Sequence, residues 1–195
     1  MSRAIKANPQ GKGVVGVLVD LQAQRNANIE AKDYSQVLAD YFTSSLIYIA
    51  NYHFKPVIGV DYYLYLKEGT WLLSLIEPHA WKNRSYGDFF ARCVLNEDRT
   101  WTMQTCDDWQ QNITLKNAIE DLQHNFINAL NSDEKFVDQL PFYQQQLNYY
   151  QRVGAYALAC SLRWSLSEQY GEKQLNDLSA KKLLIKGLQK ENLLS

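Results

Sequence analysis

The chain has 195 residues, 46% hydrophobic and 21% charged, with a formal net charge of −1, a composition of globular rather than disordered or fibrous type and of one-domain size. So balanced a charge leaves no long-range basic field, which argues against nucleic acid and acidic membrane surfaces as partners. The three cysteines are an odd number without CxxC spacing, which argues against a disulfide framework or a structural zinc site and for reduced thiols.

The chain opens without an apolar run of signal-peptide type. The apolar stretches at 14–21 and 45–50 are too short to cross a bilayer, so a cytoplasmic protein is expected. Asn8-Pro9 and Gly11 mark the first dozen residues as turn or coil. Gly11-Lys12-Gly13-Val14-Val15-Gly16 fits GxGxxG, but that fingerprint serves a dinucleotide only after a buried strand. Here ten polar, proline-containing residues precede it. A flexible entry into the apolar segment 14–21 is the simpler reading, and Lys12 with the nearby glycine amides is kept as a candidate anion contact.

Asp33-Tyr34-Ser35-Gln36 has the form of a capping box. After it Val37, Leu38, Tyr41, Phe42, Leu46 and Ile49 recur at three and four residues, which predicts an amphipathic helix across a sheet. His53 is placed at its C-terminal end, where a cation suits the helix dipole. Pro56 and Gly59 end the connection.

Two hairpins follow. Residues 62–67 and 70–76 alternate around Glu68-Gly69, a two-residue loop in which Gly69 supplies positive φ. That register sets Leu66 opposite Trp71 and Leu64 opposite Leu73. One face then carries Tyr62, Leu64, Leu66, Trp71, Leu73 and Leu75, the expected core. The other carries Tyr63, Tyr65 and Ser74, whose hydroxyls are candidates for lining a groove. Pro78 stops the strand, and Lys82, Arg84 and Gly87 make a polar loop. Residues 89–95 and 100–104 form the second hairpin, with Asp98 capping its turn.

Downstream, Asp107-Asp108 reads as the acidic start of a helix, and Leu115, Ile119, Leu122, Phe126 and Leu130 form one stripe. Ser132 is expected to cap a short helix through Leu140. Pro141 is expected to open a long helix, with Gly154, Ala155, Ala157, Ala159 and Cys160 allowing close contact and Gly171 as its stop.

The expected fold class is α+β: a four-stranded antiparallel β-meander of two hairpins, packed by an N-terminal helix and a C-terminal helical bundle. One domain is expected over 1–171, with an arm over 1–32, a helix over 33–54, the meander over 61–106 and helices over 112–171. Residues 172–195 are read as a docking helix or flexible tail.

The motifs of the common hydrolases, P-loops and calcium loops are missing, and His53, His79 and His124 lie far apart without ligand-like neighbours. No metal and no cofactor are expected, and the catalytic residues, if any, are unknown.

Tyr62-Tyr63-Leu64-Tyr65, Gly69, Leu73-Ser74-Leu75-Ile76, Pro78, Trp81, Asp88-Phe89, Leu95, Asp98 and Trp101-Thr102 form a pattern that resembles the domain-of-unknown-function family DUF2452. The resemblance covers roughly residues 55–102, and the flanking segments look like its longer bacterial members. It implies no activity. Folding accounts for most of the pattern. The hydroxyl-bearing Tyr63, Tyr65, Ser74 and Thr102, with Trp81, Trp101, Arg84 and Asp88, are left as candidate ligand or interaction residues beside Lys12.

Two functional expectations follow. The first is a non-catalytic interaction or adaptor module with a protein partner, since Tyr and Trp dominate interface hot spots. The second is a small-molecule or nucleotide-binding protein, an enzyme included, with its site between the sheet and the helices. A pocket lined by Tyr63, Tyr65 and Ser74 would favour the second, and a flat apolar face the first.

Overall fold

The computed structural model describes residues 31–81, 86–142, 144–188 and 193. The expectations placed on residues 1–30, Lys12 among them, and on Arg84 lie outside the described residues.

Helix α1 (Tyr34–Ile49) begins on the expected capping box: Asp33 Oδ1 accepts from Gln36 N at 3.0 Å, and Gln36 Oε1 accepts from Asp33 N at 3.0 Å. Its buried set, which includes Val37, Leu38, Phe42, Leu46, Ile47 and Tyr48, is wider than one stripe. A helix buried on several sides belongs inside the fold, and α1 indeed packs against three later helices as well as the sheet. It ends at Ile49, so His53 is not helix-terminal; it lies exposed in the extended segment beyond.

The sheet comprises β1 (Asp61–Lys67), β2 (Thr70–Ser74), β3 (Asp88–Leu95) and β4 (Trp101–Thr105). The α+β class, the four antiparallel strands and both hairpins are as expected. The β1–β2 register sets Leu66 opposite Trp71 and Leu64 opposite Leu73. Glu68 and Gly69 both take positive φ, 49° and 77°, the pattern of a primed hairpin turn that follows the strand twist. The strand order, however, is β2-β1-β3-β4, not that of a meander. The hairpins join through β1 and β3, and β2 becomes an edge.

A bulge makes that junction work. Leu64 pairs with Ala91 but Tyr65 pairs with Phe89, which leaves Phe90 as the extra residue. Phe90 and Ala91 are both fully buried, and the Phe90 ring meets Trp71 and Trp109 edge-on at 5.3 and 5.6 Å. A bulge bends its strand and re-aims side chains in this way. The β2 edge is partly closed by the chain leaving α1, where Asn51 N donates to Trp71 O at 2.7 Å and Leu73 N to Asn51 O at 3.2 Å, a common protection for a free edge. Tyr62, Leu64, Leu66, Trp71 and Leu73 form the core face as expected. Leu75 does not join them; it lies beyond the end of β2 and is exposed.

The C-terminal half holds α2 (Ile113–Leu130), α3 (Phe136–Gln139), α4 (Tyr149–Tyr170), α5 (Glu172–Asn176) and α6 (Ala180–Leu188). Asp107-Asp108 falls in a turn before α2, whose N-cap is Asn112. The long helix does not open at Pro141. It opens at Asn148, which forms a capping box with Gln151 at 3.1 Å in both directions. Gly171, at φ 82°, ends it as expected. Helix α6 packs on α1, where Ser35 Oγ donates to Gly187 O at 2.7 Å, and its Leu183 and Leu184 are buried.

Candidate functional site

The sequence-predicted residues separate onto the two faces of the sheet. Asp88 pairs with Leu66 at the start of β3 and is exposed, while Tyr63, Tyr65, Ser74 and Trp81 come together on the face away from α1. There Trp81 and Tyr86 stack with ring centroids 4.1 Å apart, and Tyr65 meets Tyr86 edge-on at 5.3 Å and Phe89 at 5.5 Å. The hydroxyls of Tyr65 and Ser74 are engaged by neighbouring groups. Tyr65 Oη donates to Ile76 O at 2.8 Å and accepts from Trp81 Nε1 at 3.2 Å, while Ser74 Oγ accepts from Ile76 N at 3.0 Å. Burial raises the Tyr65 pKa, with Tyr63 and Glu77 adding to it against the Trp81 hydrogen bond. These groups clamp the end of β2. Thr102 lies exposed on the same face, and its hydroxyl pairs with the Asn96 side chain, which donates to it at 2.9 Å.

Trp101 is on the other face, 1% exposed, and takes part in a different site. It lines a cavity of about 390 Å³ between the helices and the sheet. Tyr48, at the end of α1, and Leu95, at the end of β3, complete its floor; all three side chains are buried. Val153, Gly154 and Ala157 form its α4 wall. Tyr149 and Tyr150 from the first turn of α4, Lys55 and Pro56 from the α1–β1 connection, and Arg99 from the β3–β4 turn form the rim.

Local structure sets each wall. The α4 capping box also reaches across to the chain after α1: Asn148 Nδ2 donates to Tyr52 O at 2.8 Å and Gln151 Nε2 to Ala50 O at 2.6 Å. That pair holds Tyr149 and Tyr150 beside Lys55. Gly154 lets the Tyr48 ring cross α4 closely, since a Cβ there would stand 2.9 Å from Tyr48 Cζ. Arg99 adopts φ 68°, a conformation unusual for a side chain of its kind. Its turn is held by Asp98, whose Oδ1 accepts from Thr100 N at 3.0 Å and Thr100 Oγ1 at 2.6 Å, and whose Oδ2 accepts from Lys32 Nζ. Lys32 Nζ also reaches Asp40 at 2.6 Å.

The cavity combines two properties. Its floor is apolar and aromatic. Its two cations, Lys55 and Arg99, have no ion-pair partner among the described residues, and no acidic side chain is among the described residues lining it. The Trp101 indole Nε1–H is buried without a hydrogen-bond partner. It lies close enough to the Tyr48 hydroxyl to lower that group's pKa. Burial still drives the Tyr48 phenol well above its ordinary value, against the Trp101 contact and the Arg99 charge.

The three thiols are not activated. Burial raises the pKa of Cys93, of Cys106, where Asp108 adds to it, and of Cys160. A reactive thiolate needs the reverse shift. Among the described residues no group of three His, Cys, Asp or Glu side chains is placed to hold a metal ion, and no helix is long and apolar enough to cross a membrane.

Of the cavity residues, sequence reasoning found only Trp101. Tyr149 and Tyr150 were hidden by the expected helix start at Pro141. Gly154 was legible as a point of close helix contact, though not its partner Tyr48. Lys55 and Arg99 carry no motif. No family model matches the chain, and neither a curated protein nor a solved structure matches it.

Proposed function

We propose that this protein binds a small organic molecule in the cavity between α1, α4 and the β3–β4 hairpin. The observation that carries this reading is a cavity of about 390 Å³ with an aromatic floor and two cations at its rim that have no ion-pair partner among the described residues, a volume within the range of small-molecule sites, about 300–1,000 Å³. An apolar floor with a few polar groups is the usual composition of such sites. A thermal-shift screen against metabolites and nucleotides tests it, because a ligand that binds only the native state raises the melting temperature. The expected hits vanish in Val153→Trp, which fills the cavity from a half-buried position. A panel without a hit, or hits that Val153→Trp leaves intact, would remove this reading.

A second reading, a protein-interaction module, is favoured by the outer sheet face. Tyr63, Leu72, Phe89 and Val94 are half-exposed there beside Arg92, which pairs with Asp61 at 2.7 Å. Such a mixed aromatic and arginine surface has the composition of interface hot spots. A chain that stays monomeric and retains no partner in pull-downs at its native level would count against it.

A further inference from the structure

The cavity reading leaves the ligand's chemistry open, and the lining narrows it. The buried floor presents rings and aliphatic side chains, so the deep part of the ligand is apolar and flat enough to lie against Trp101 and Tyr48. At the rim the chemistry changes sign. Lys55 is exposed and Arg99 half-buried; both face the cavity, and no acidic residue answers them among its described lining. The whole chain carries a net charge of only −1, so this pair is a local positive spot rather than part of a basic surface. The turn that holds Arg99 is anchored by Asp98, whose carboxylate is already engaged by Thr100 and Lys32, and so the arginine is left for an outside anion. Arginine and lysine together suit a carboxylate or phosphate.

We infer that the ligand is a small planar organic anion: an aromatic or otherwise flat body against Trp101 and Tyr48, and a carboxylate or phosphate met by Lys55 and Arg99. This rests on the cavity being a binding site.

The test uses two fluorescent probes that share a ring system. Anilinonaphthalene sulfonate carries an acid; phenylnaphthylamine does not. The whole chain is expected to bind the sulfonate at one site, with a Kd about tenfold or more below that of the neutral probe. A Lys55→Ala, Arg99→Ala double variant should lose that difference by weakening the sulfonate alone, and Val153→Trp should lose both probes. Circular dichroism and melting temperature check that each variant is folded. Naphthoate and naphthyl phosphate are then compared as displacers of the sulfonate, and the stronger names the acid group. Equal binding of both probes, a double variant that keeps the preference, or failure of both acids to displace would overturn the anion inference while the cavity reading stands. Retention of both probes by Val153→Trp would overturn the cavity reading itself.

Discussion

Gly154 lies in α4 where the Tyr48 ring crosses the helix, and a Cβ built there would come within 2.9 Å of Tyr48 Cζ and 3.0 Å of its Oη. Elsewhere in a helix, glycine to alanine is favourable by about 0.5–1 kcal/mol. Here the neighbour is a buried ring rather than the free end of a flexible side chain, so overpacking of about 1–3 kcal/mol decides the sign. Gly154→Ala should therefore lower the melting temperature by several degrees, at roughly 2–4 °C per kcal/mol for a chain of this size. A thermal melt followed by circular dichroism that shows no change, or a rise, would remove the close-approach argument. The opposite sign is expected at Glu68. It takes φ 49° in the first hairpin turn, a conformation asparagine tolerates far better. Glu68→Asn should raise stability by about 0.5–1 kcal/mol in a urea titration, and an unchanged midpoint would speak against a strained turn. Both residues sit in stretches of ordinary sequence: Gly69 announced a turn, but nothing local marked Glu68 as left-handed, and the ring opposite Gly154 is more than a hundred positions away.

At the scale of elements, the legible features were those set by neighbours in the chain. The first hairpin followed from alternation and one glycine, and α1 from its capping box. The strand order did not follow, because it depends on the bulge at Phe90 and on pairing β1 with β3 across the whole β2 segment. Nothing in a single strand's pattern marks which neighbour it takes. The start of α4 was misplaced for a related reason. Pro141 is a good first helical residue in isolation, but Asn148 and Gln151 form a capping box and also bind the Ala50 and Tyr52 carbonyls. Those two bonds join distant segments and so leave no local trace. They are also what seats the cavity's tyrosines, which is why the site as a whole was read less well than the fold. The outer aromatic residues were legible as a group, yet the Tyr65 hydroxyl, like that of Ser74, is taken up by the backbone of Ile76. Asn148→Ala should cost about 1 kcal/mol for the lost cap and somewhat more for the freed Tyr52 carbonyl. Hydrogen exchange should show the loss at the first turn of α4 and at residues 50–52 together. Faster exchange in α4 alone would mean the two segments are not coupled.

At the scale of the whole molecule, Lys32 joins the entry to α1, the α1 surface and the β3–β4 turn through Asp40 and Asp98. Burial weighs against the charge on all three groups. For Lys32 the two carboxylates outweigh it, and its pKa is raised. For Asp98 the hydrogen bonds from Lys32 and Thr100 outweigh it, and its pKa is lowered. For Asp40 burial wins, with Asp98 adding to it against Lys32, and its pKa is raised. The signs follow by linkage. The contribution of Asp98 is complete above the unfolded carboxylate value, about 3.9, and is lost as pH falls through its lower folded value. That of Asp40 has the reverse form, present below the unfolded value and lost as pH rises through the folded one. That of Lys32 is complete below about 10.4 and is lost as pH rises through its raised folded value. At neutral pH, Asp98 and Lys32 therefore stabilise and the Asp40 charge opposes. Lys32→Ala should be the most damaging change, since it leaves two carboxylates facing each other; about 1–3 kcal/mol is expected for the unpaired, partly buried charge, below the figure for a fully buried pair. Asp98→Asn should cost less and flatten the acid limb of the stability profile below about pH 4, while Asp40→Asn should be near neutral or stabilising at pH 7. Urea titrations of the three variants across pH check the order. The result that sinks this assignment is Asp40→Asn as costly as Lys32→Ala at neutral pH, because Asp40 would then be a net stabilising partner and the raised pKa would have the wrong sign. The same variants bear on the cavity, since Arg99 follows Asp98 directly in the turn. If that turn positions the arginine, Asp98→Asn should weaken the sulfonate probe more than the neutral one even where the protein remains folded.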